Sequence, residues 1–186
     1  MKQNRLIRYT IWGILIICPW ILTSCDMFHE DLPECRLFVK FKYDYNMLFT
    51  DAFHTQVDKV ELYVFDKDGK FLFSQVEEGE ALATGNYQME VKLPIGEYQF
   101  LAWAGARDSY DIYTPRGENT ITDMRLRLKR EESLIISKEL EPLWYGYISD
   151  VDFTGTSHQT ETIDLIKDTN KIRFVFQGYS DSYIRA

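Results

Sequence analysis

Cysteine is scarce in this 186-residue chain, which has only Cys18, Cys25 and Cys35. That scarcity excludes a disulfide-stapled scaffold. Histidine is equally rare: His29, His54 and His158 stand at no metal-ligand spacing from one another or from a cysteine. Glycine-rich phosphate loops, a Gly-x-Ser-x-Gly elbow and a Cys/His nucleophile pair are all missing, so the chain carries no catalytic signal and reads as a non-enzyme without cofactor or metal. Positive charge is in deficit, with 21 Lys and Arg against 29 Asp and Glu. A net charge of −8 excludes nucleic acid as a partner, because phosphate neutralisation needs clustered basic side chains. Long apolar runs are absent too. The run Ile11–Leu22 is broken by Gly13 and Pro19 and falls short of the roughly 20 residues a spanning helix needs.

That short run has a different use. Lys2, Arg5 and Arg8 precede it, and Leu22-Thr23-Ser24-Cys25 ends it, which is the layout of an export signal, to be set aside in fold reasoning. The tetrapeptide looks like a bacterial lipobox: an aliphatic residue, two small residues, then a cysteine that receives lipid and becomes the new N-terminus. The alternative is an ordinary signal peptide in which Cys25 is incidental. Two or three acyl chains on one residue give stable membrane attachment, whereas one is marginal. Cleavage before Cys25 removes three basic and no acidic residues, taking the charge from −8 to −11. Anionic lipid would then repel the protein, leaving the acyl chains to hold it. Residues 1–24 are thus expected to be signal and 25–34 an acidic tether. Cys35, the remaining thiol, is open between a buried small apolar residue and an intermolecular or reactive one.

From Cys35 onward the hydrophobic period is two, the mark of half-buried strands. Leu37, Val39, Phe41 and Tyr43 form one such row, and Val60, Leu62 and Val64 another. Asp66-Lys67-Asp68-Gly69-Lys70 turns the chain into Phe71-Leu72-Phe73, with Gly69 free to take the left-handed conformation of a tight hairpin. Tyr87 to Leu93, Tyr98 to Ala104 and Met124 to Leu128 continue the alternation, with further strands near Leu143–Ile148 and Thr160–Ile166. Met47–Gln56 reads as a short helix with Leu48, Phe53 and Val57 facing inward. Glu132–Leu140 is open between helix and strand. Gly105–Thr120, carrying Tyr110 and Tyr113, reads as a long functional or poorly ordered loop. The pattern predicts an all-β fold, an antiparallel sandwich of about seven strands over residues 35–168. Lys171–Gln177 reads as one more strand after the connector Asp168-Thr169-Asn170, and 169–186 is expected to be the start of a second, incomplete β domain.

The remaining candidates favour structural roles. His54 reads as a helix-surface residue. Asp66, Asp68 and Gly69 faintly suggest a calcium loop, but the further ligands and closing Glu are missing, so a hairpin turn is expected. Glu77-Glu78 and Glu131-Glu132 read as solvated turns rather than acid/base dyads. Trp103 and Trp144-Tyr145 are assigned to the core in preference to a sugar-stacking platform.

Several segments taken together resemble a known family: the lipobox Cys25; Asp31-Leu32-Pro33-Glu34-Cys35 leading into the first strand; Tyr43-Asp44-Tyr45-Asn46-Met47; and Val60–Asp66 with Asp68-Gly69-Lys70-Phe71. Leu93–Tyr98, Trp103-Ala104-Gly105 and Pro142–Gly146 extend the match. The chain from Cys25 to about Gln177 resembles the FimB-type fimbrial anchor (fimbrillin-like) lipoproteins of Gram-negative anaerobes. The resemblance implies a transthyretin-like sandwich, lipidated on Cys25 at the outer membrane and facing the cell surface. It implies fimbrial shaft subunits as partners, joined by strand donation. The resemblance brings over Cys25 alone as a functional residue. The acidic residues after Cys25 also resemble the surface-export signal of some Gram-negative lipoproteins. A second reading is a surface lipoprotein that binds glycan or a host ligand through Gly105–Thr120 and exposed tyrosines.

Overall fold

The computed structural model describes residues 34–117, 119–130, 136, 138–173, 175 and 177. Cys25, His29, Glu131, most of Glu132–Leu140 and the tether before Glu34 lie outside the described residues. Ten strands occur among those that are described: β1 Leu37–Lys42, β2 Lys59–Asp66, β3 Phe71–Glu78, β4 Met89–Val91, β5 Gly96–Ala104, β6 Tyr110–Tyr113, β7 Arg125–Leu128, β8 Trp144–Phe153, β9 Gln159–Asp164 and β10 Ile166–Lys167. The one α-helix among them, α1, covers Phe53–Gln56.

Two sheets face each other, one of three strands in the order β4-β1-β9 and one of five in the order β10-β8-β5-β2-β3. The alternation read from the sequence supplies the layer between them. Leu37, Val39 and Phe41 of β1 meet Val60, Leu62 and Val64 of β2 and Phe100 and Ala102 of β5, all at most 2% exposed. Trp144 seals one end of this core, edge-on to Tyr43 at 5.9 Å between ring centroids. The fold is the expected β-sandwich. Among the described residues six ion pairs bridge partly exposed side chains, where water and salt screen the attraction. Burying one large apolar side chain contributes about 1.5–3 kcal/mol, so the core dominates.

Four details depart from the sequence reading. First, β1 and β9 run parallel, from Leu37 beside Gln159 to Lys42 beside Asp164; apolar periodicity carries no information on strand direction. Second, β2 is buried on both faces. Tyr63 and Phe65 turn away from the main core and pack with Leu101 and Met124 under a two-stranded ribbon, β6–β7. Third, Gly105–Thr120 is therefore not an irregular loop, since Tyr110–Tyr113 is β6, in register from Tyr110 opposite Leu128 to Tyr113 opposite Arg125. A four-residue strand is too short for its alternation to stand out. Fourth, the helix expected over Met47–Gln56 shrinks to α1. Phe53 and Val57 are buried as anticipated, but Leu48 is 62% exposed. Asn46 and Asp51 hold the preceding residues in a loop by side-chain bonds to the backbone, the competition that keeps such residues out of helix interiors.

The hairpin between β2 and β3 forms as read. Asp66 Oδ1 accepts from the backbone N–H of Asp68 (3.0 Å) and Lys70 (2.8 Å), and Gly69 sits at φ 78. Lys171–Gln177 enters no ladder among its described residues, and Ile172 and Val175 are exposed.

Candidate functional site: the open edges and poles of the sandwich

A sheet edge offers unpaired backbone donors and acceptors, which is what a strand from another protein would bind. Among the described residues the longest edge is β3. It pairs with β2 from Lys59 opposite Glu78 to Phe65 opposite Phe71, and its other side carries no strand. Alternate residues of β3 are exposed, Leu72 by 43% and Val76 by 50%. Phe73 packs against the main core. β4, the edge of the opposite sheet, lies alongside, since Gln75 Nε2 donates to the Glu90 carbonyl at 3.2 Å. Tyr87 donates to Glu77 at 3.2 Å, and burial, aided by the neighbouring carboxylate, pushes its hydroxyl pKa well up. Leu72 and Val76 thus stand on an edge with a polar seam beside it and the acidic pair Glu77-Glu78 at its end.

The poles of the sandwich differ. At one pole the chain enters β1 from Cys35, which is exposed, with Sγ donating to the Gly155 carbonyl. Of the two readings left open for Cys35, the buried one is corrected: the thiol precedes the first inward-facing residue, Leu37, so the core never reaches it. At the other pole β1 and β9 both end, tied by the Leu165 N–H donating to the Lys42 carbonyl at 2.7 Å. There the loop after Tyr43 presents Tyr45, Met47, Leu48 and Phe49 to solvent. The sequence reading missed this cluster because it placed the segment in a helix. Four large apolar residues within five positions were the available signal.

The structure places the other candidates individually. His54 is exposed on α1. His158 is exposed and stacks on Phe38, with ring centroids 4.5 Å apart. Among the described residues no group of three or more His, Cys, Asp or Glu side chains is placed to hold a metal ion. Glu78 pairs with Arg107 at 2.5 Å, and Arg107 also reaches Asp58 at 3.1 Å. Trp144 is 2% exposed and belongs to the core. Trp103 is half-buried and lies against Tyr145 at 4.8 Å, on the sheet face that the ribbon partly covers. Tyr110 is buried and donates to the Glu141 carbonyl at 2.7 Å, whereas Tyr113 is half exposed beneath the Arg127 guanidinium. Of the two tyrosines proposed to meet a ligand, only Tyr113 is accessible.

A sandwich with an open edge strand and two unlike poles is the frame on which any site of this chain is built. Comparison with known proteins shows the family. The family model for fimbrillin-A associated anchor proteins Mfa1 and Mfa2 matches residues 32–185, and the chain belongs to that family. It is 27% identical over 129 residues to the minor fimbrium anchoring subunit Mfa2 of Porphyromonas gingivalis, covering 67% of this chain and 40% of that protein. A Bacteroides thetaiotaomicron structure described as a proposed polysaccharide-binding protein (DUF1812) is 70% identical, with a TM-score of 0.69 over 72% of this chain and 48% of its own. The fimbrial anchor protein Mfa2 from Porphyromonas gingivalis superposes with a TM-score of 0.61 at 21% identity, over 71% of this chain and 50% of its own, which shows a shared fold. The chain spans about half the length, or less, of these relatives.

Proposed function

We propose that this protein is an outer-membrane lipoprotein, held by acyl chains on Cys25, that moors a surface fimbria by accepting a strand from a shaft subunit. The observation that carries the reading is membership of the anchor family together with a lipobox ending at Cys25. The β3 edge supports the manner of attachment. An incoming strand alongside Phe71–Glu78 would gain main-chain hydrogen bonds, and Leu72 and Val76 offer apolar contacts at every fourth position. The acidic stretch between Cys25 and Cys35 serves as a spacer from the membrane, joining the sandwich at the pole opposite the apolar loop. The anchoring role needs no catalytic group.

The test is replacement of Cys25 by Ala in the native host. The expected result is loss of palmitate labelling and release of fimbriae into the medium. Fimbriae that stay attached and of normal length in the variant overturn the assignment. A second variant, Val76→Pro, blocks the edge while leaving the lipid in place; it is expected to free the filament with the protein still membrane-bound.

The description of the Bacteroides thetaiotaomicron relative as polysaccharide-binding favours a second reading, in which the protein holds glycan at the cell surface. Its candidate surface is the half-exposed Tyr113 with Tyr147, whose hydroxyl donates to Gln99 at 2.7 Å. Binding on a glycan array that disappears with Tyr113→Ala and Tyr147→Ala would support it.

A further inference from the structure

The free side of β3 is bounded at both ends. At its start Thr120 bridges Lys70 in antiparallel fashion, and the Ile121 N–H donates to the Gly69 carbonyl at 2.7 Å. That plug is itself fixed. Thr120 and Asp123 form a capping box, in which the Thr120 N–H donates to Asp123 Oδ2 at 2.9 Å. At the far end the chain turns away at Gly79, φ 92, and Arg107 holds the Glu78 side chain. Between plug and turn, Leu72–Glu78 stands clear of any further strand among the described residues. The backbone along this slot has a defined direction. The Gly79 N–H donates to the Asp58 carbonyl at 2.9 Å, so Gly79 faces β2. Peptide groups alternate in direction along an antiparallel strand, which turns those of Ser74, Val76 and Glu78 outward, away from β2.

We propose that the same stretch of a second copy fills this slot, running antiparallel about a two-fold axis at Gln75. The stretch fits itself in length, because the plug of one copy stands where the other copy turns away at Gly79. Ser74 then lies opposite Val76 of the second copy, and Leu72 opposite its Glu78. The outward peptide groups of these residues meet in hydrogen-bonded pairs. Leu72 and Val76, 43% and 50% exposed in the single chain, come together diagonally on one face, where neighbours about 7–8 Å apart still touch through long side chains. The pairing also covers an apolar edge that would otherwise be open to aggregation.

Charge selects the direction. Glu77 and Glu78 crowd one end of β3 in a chain of net charge −8. A parallel partner would set the two acidic pairs side by side, which is destabilising. An antiparallel partner separates them by the length of the stretch, about 20 Å, and brings Glu78 towards the exposed Lys70 of the second copy. The pairing belongs to the subunit on its own, and stands whether or not a filament strand later takes the same edge.

Sedimentation of the full chain, purified in detergent from cells lacking fimbrial subunits, tests the pairing. The expected result is a monomer–dimer equilibrium that shifts with protein concentration. Val76→Pro removes an N–H that points away from β2, so the sandwich keeps its ladder while the dimer weakens at least about tenfold. Circular dichroism checks that the variant is folded. Disulfide trapping reads the register independently of that variant. In a Cys35→Ser background, oxidation should link two copies of Ser74→Cys/Val76→Cys, and link Ser74→Cys alone far less. A chain that is monomeric at every concentration overturns the proposal. So does a dimer that Val76→Pro leaves unchanged, or linkage no greater in the double variant than in the Cys35→Ser parent.

Discussion

The Tyr98 hydroxyl donates to the Pro94 carbonyl oxygen four residues upstream, at 2.7 Å, from a side chain that is only 7% exposed. The bond fastens the turn that carries the chain from β4 in one sheet to β5 in the other, the role a tyrosine corner plays in other sandwiches. Replacing Tyr98 with Phe keeps the ring in the core and removes only the donor. The expected cost is about 1–2 kcal/mol, read as a lower urea midpoint with an unchanged slope. A change below about 0.3 kcal/mol would mean that the β4–β5 turn is fixed by its proline and glycine alone.

Alkaline pH should weaken the fold. Burial pushes the hydroxyl pKa of Tyr98, Tyr110, Tyr145 and Tyr147 upward, and that of Tyr63 and Tyr87 further still. In the unfolded chain these groups titrate near pH 10. Above that pH the unfolded state has lost protons that the folded state retains, so stability falls as pH rises. It is fully present below about pH 10 and declines above it. Denaturant midpoints at pH 8 and pH 11, followed with tyrosinate absorbance, check the sign. Tyrosinate absorbance that rises for these six without loss of structure would contradict it.

Cys35 should react as an exposed thiol. It sits outside the core with its hydrogen bond to the Gly155 carbonyl at the tethered pole. Iodoacetamide is expected to modify it in the folded protein without denaturant, and Cys35→Ser should change stability by no more than about 0.5 kcal/mol. Protection from the reagent until the chain unfolds would return it to the core.

The main core was legible because its strands obey one rule. Leu37, Val39 and Phe41, and likewise Phe100, Ala102 and Ala104, alternate with residues that face the other way, and each of these rows is buried. The Asp66–Gly69 hairpin was legible for a similar reason, since an aspartate carboxylate and a glycine write the turn locally. The features that escaped depend on partners distant in sequence. Tyr63 and Phe65 read as the outer face of β2, and nothing local says that a ribbon from residues 110–128 covers them. The parallel pairing of β1 with β9 joins residues more than a hundred positions apart. At the exposed loop the apolar spacing of Leu48, Phe53 and Val57 imitated a helix, and the side chains of Asn46 and Asp51 decided otherwise. The edge strand was recognised as a strand, but its place at the edge is set only by the order of the sheet.

Gly105 tests the close approach that sets the end of β5 against the segment leading into β8. It succeeds the last residue of β5 at φ +73, its N–H donates to the Lys59 carbonyl at 2.8 Å, and a Cβ there would lie 2.1 Å from the Pro142 carbonyl oxygen and 2.9 Å from the Trp144 ring. Alanine would therefore meet two separate penalties. The left-handed backbone costs about 1–3 kcal/mol for a non-glycine residue, and forcing the methyl against a backbone oxygen adds about 1–3 kcal/mol through displacement of Pro142 or Trp144. Gly117 separates the two, because it has nearly the same φ, +68, with nothing within 4 Å of its Cβ position. Gly117→Ala should incur only the conformational loss, while Gly105→Ala should lose at least about 1 kcal/mol more, by chemical denaturation of both variants. Equal losses would mean that Pro142 yields without cost, and that the segment leading into β8 is not held where Gly105 meets it.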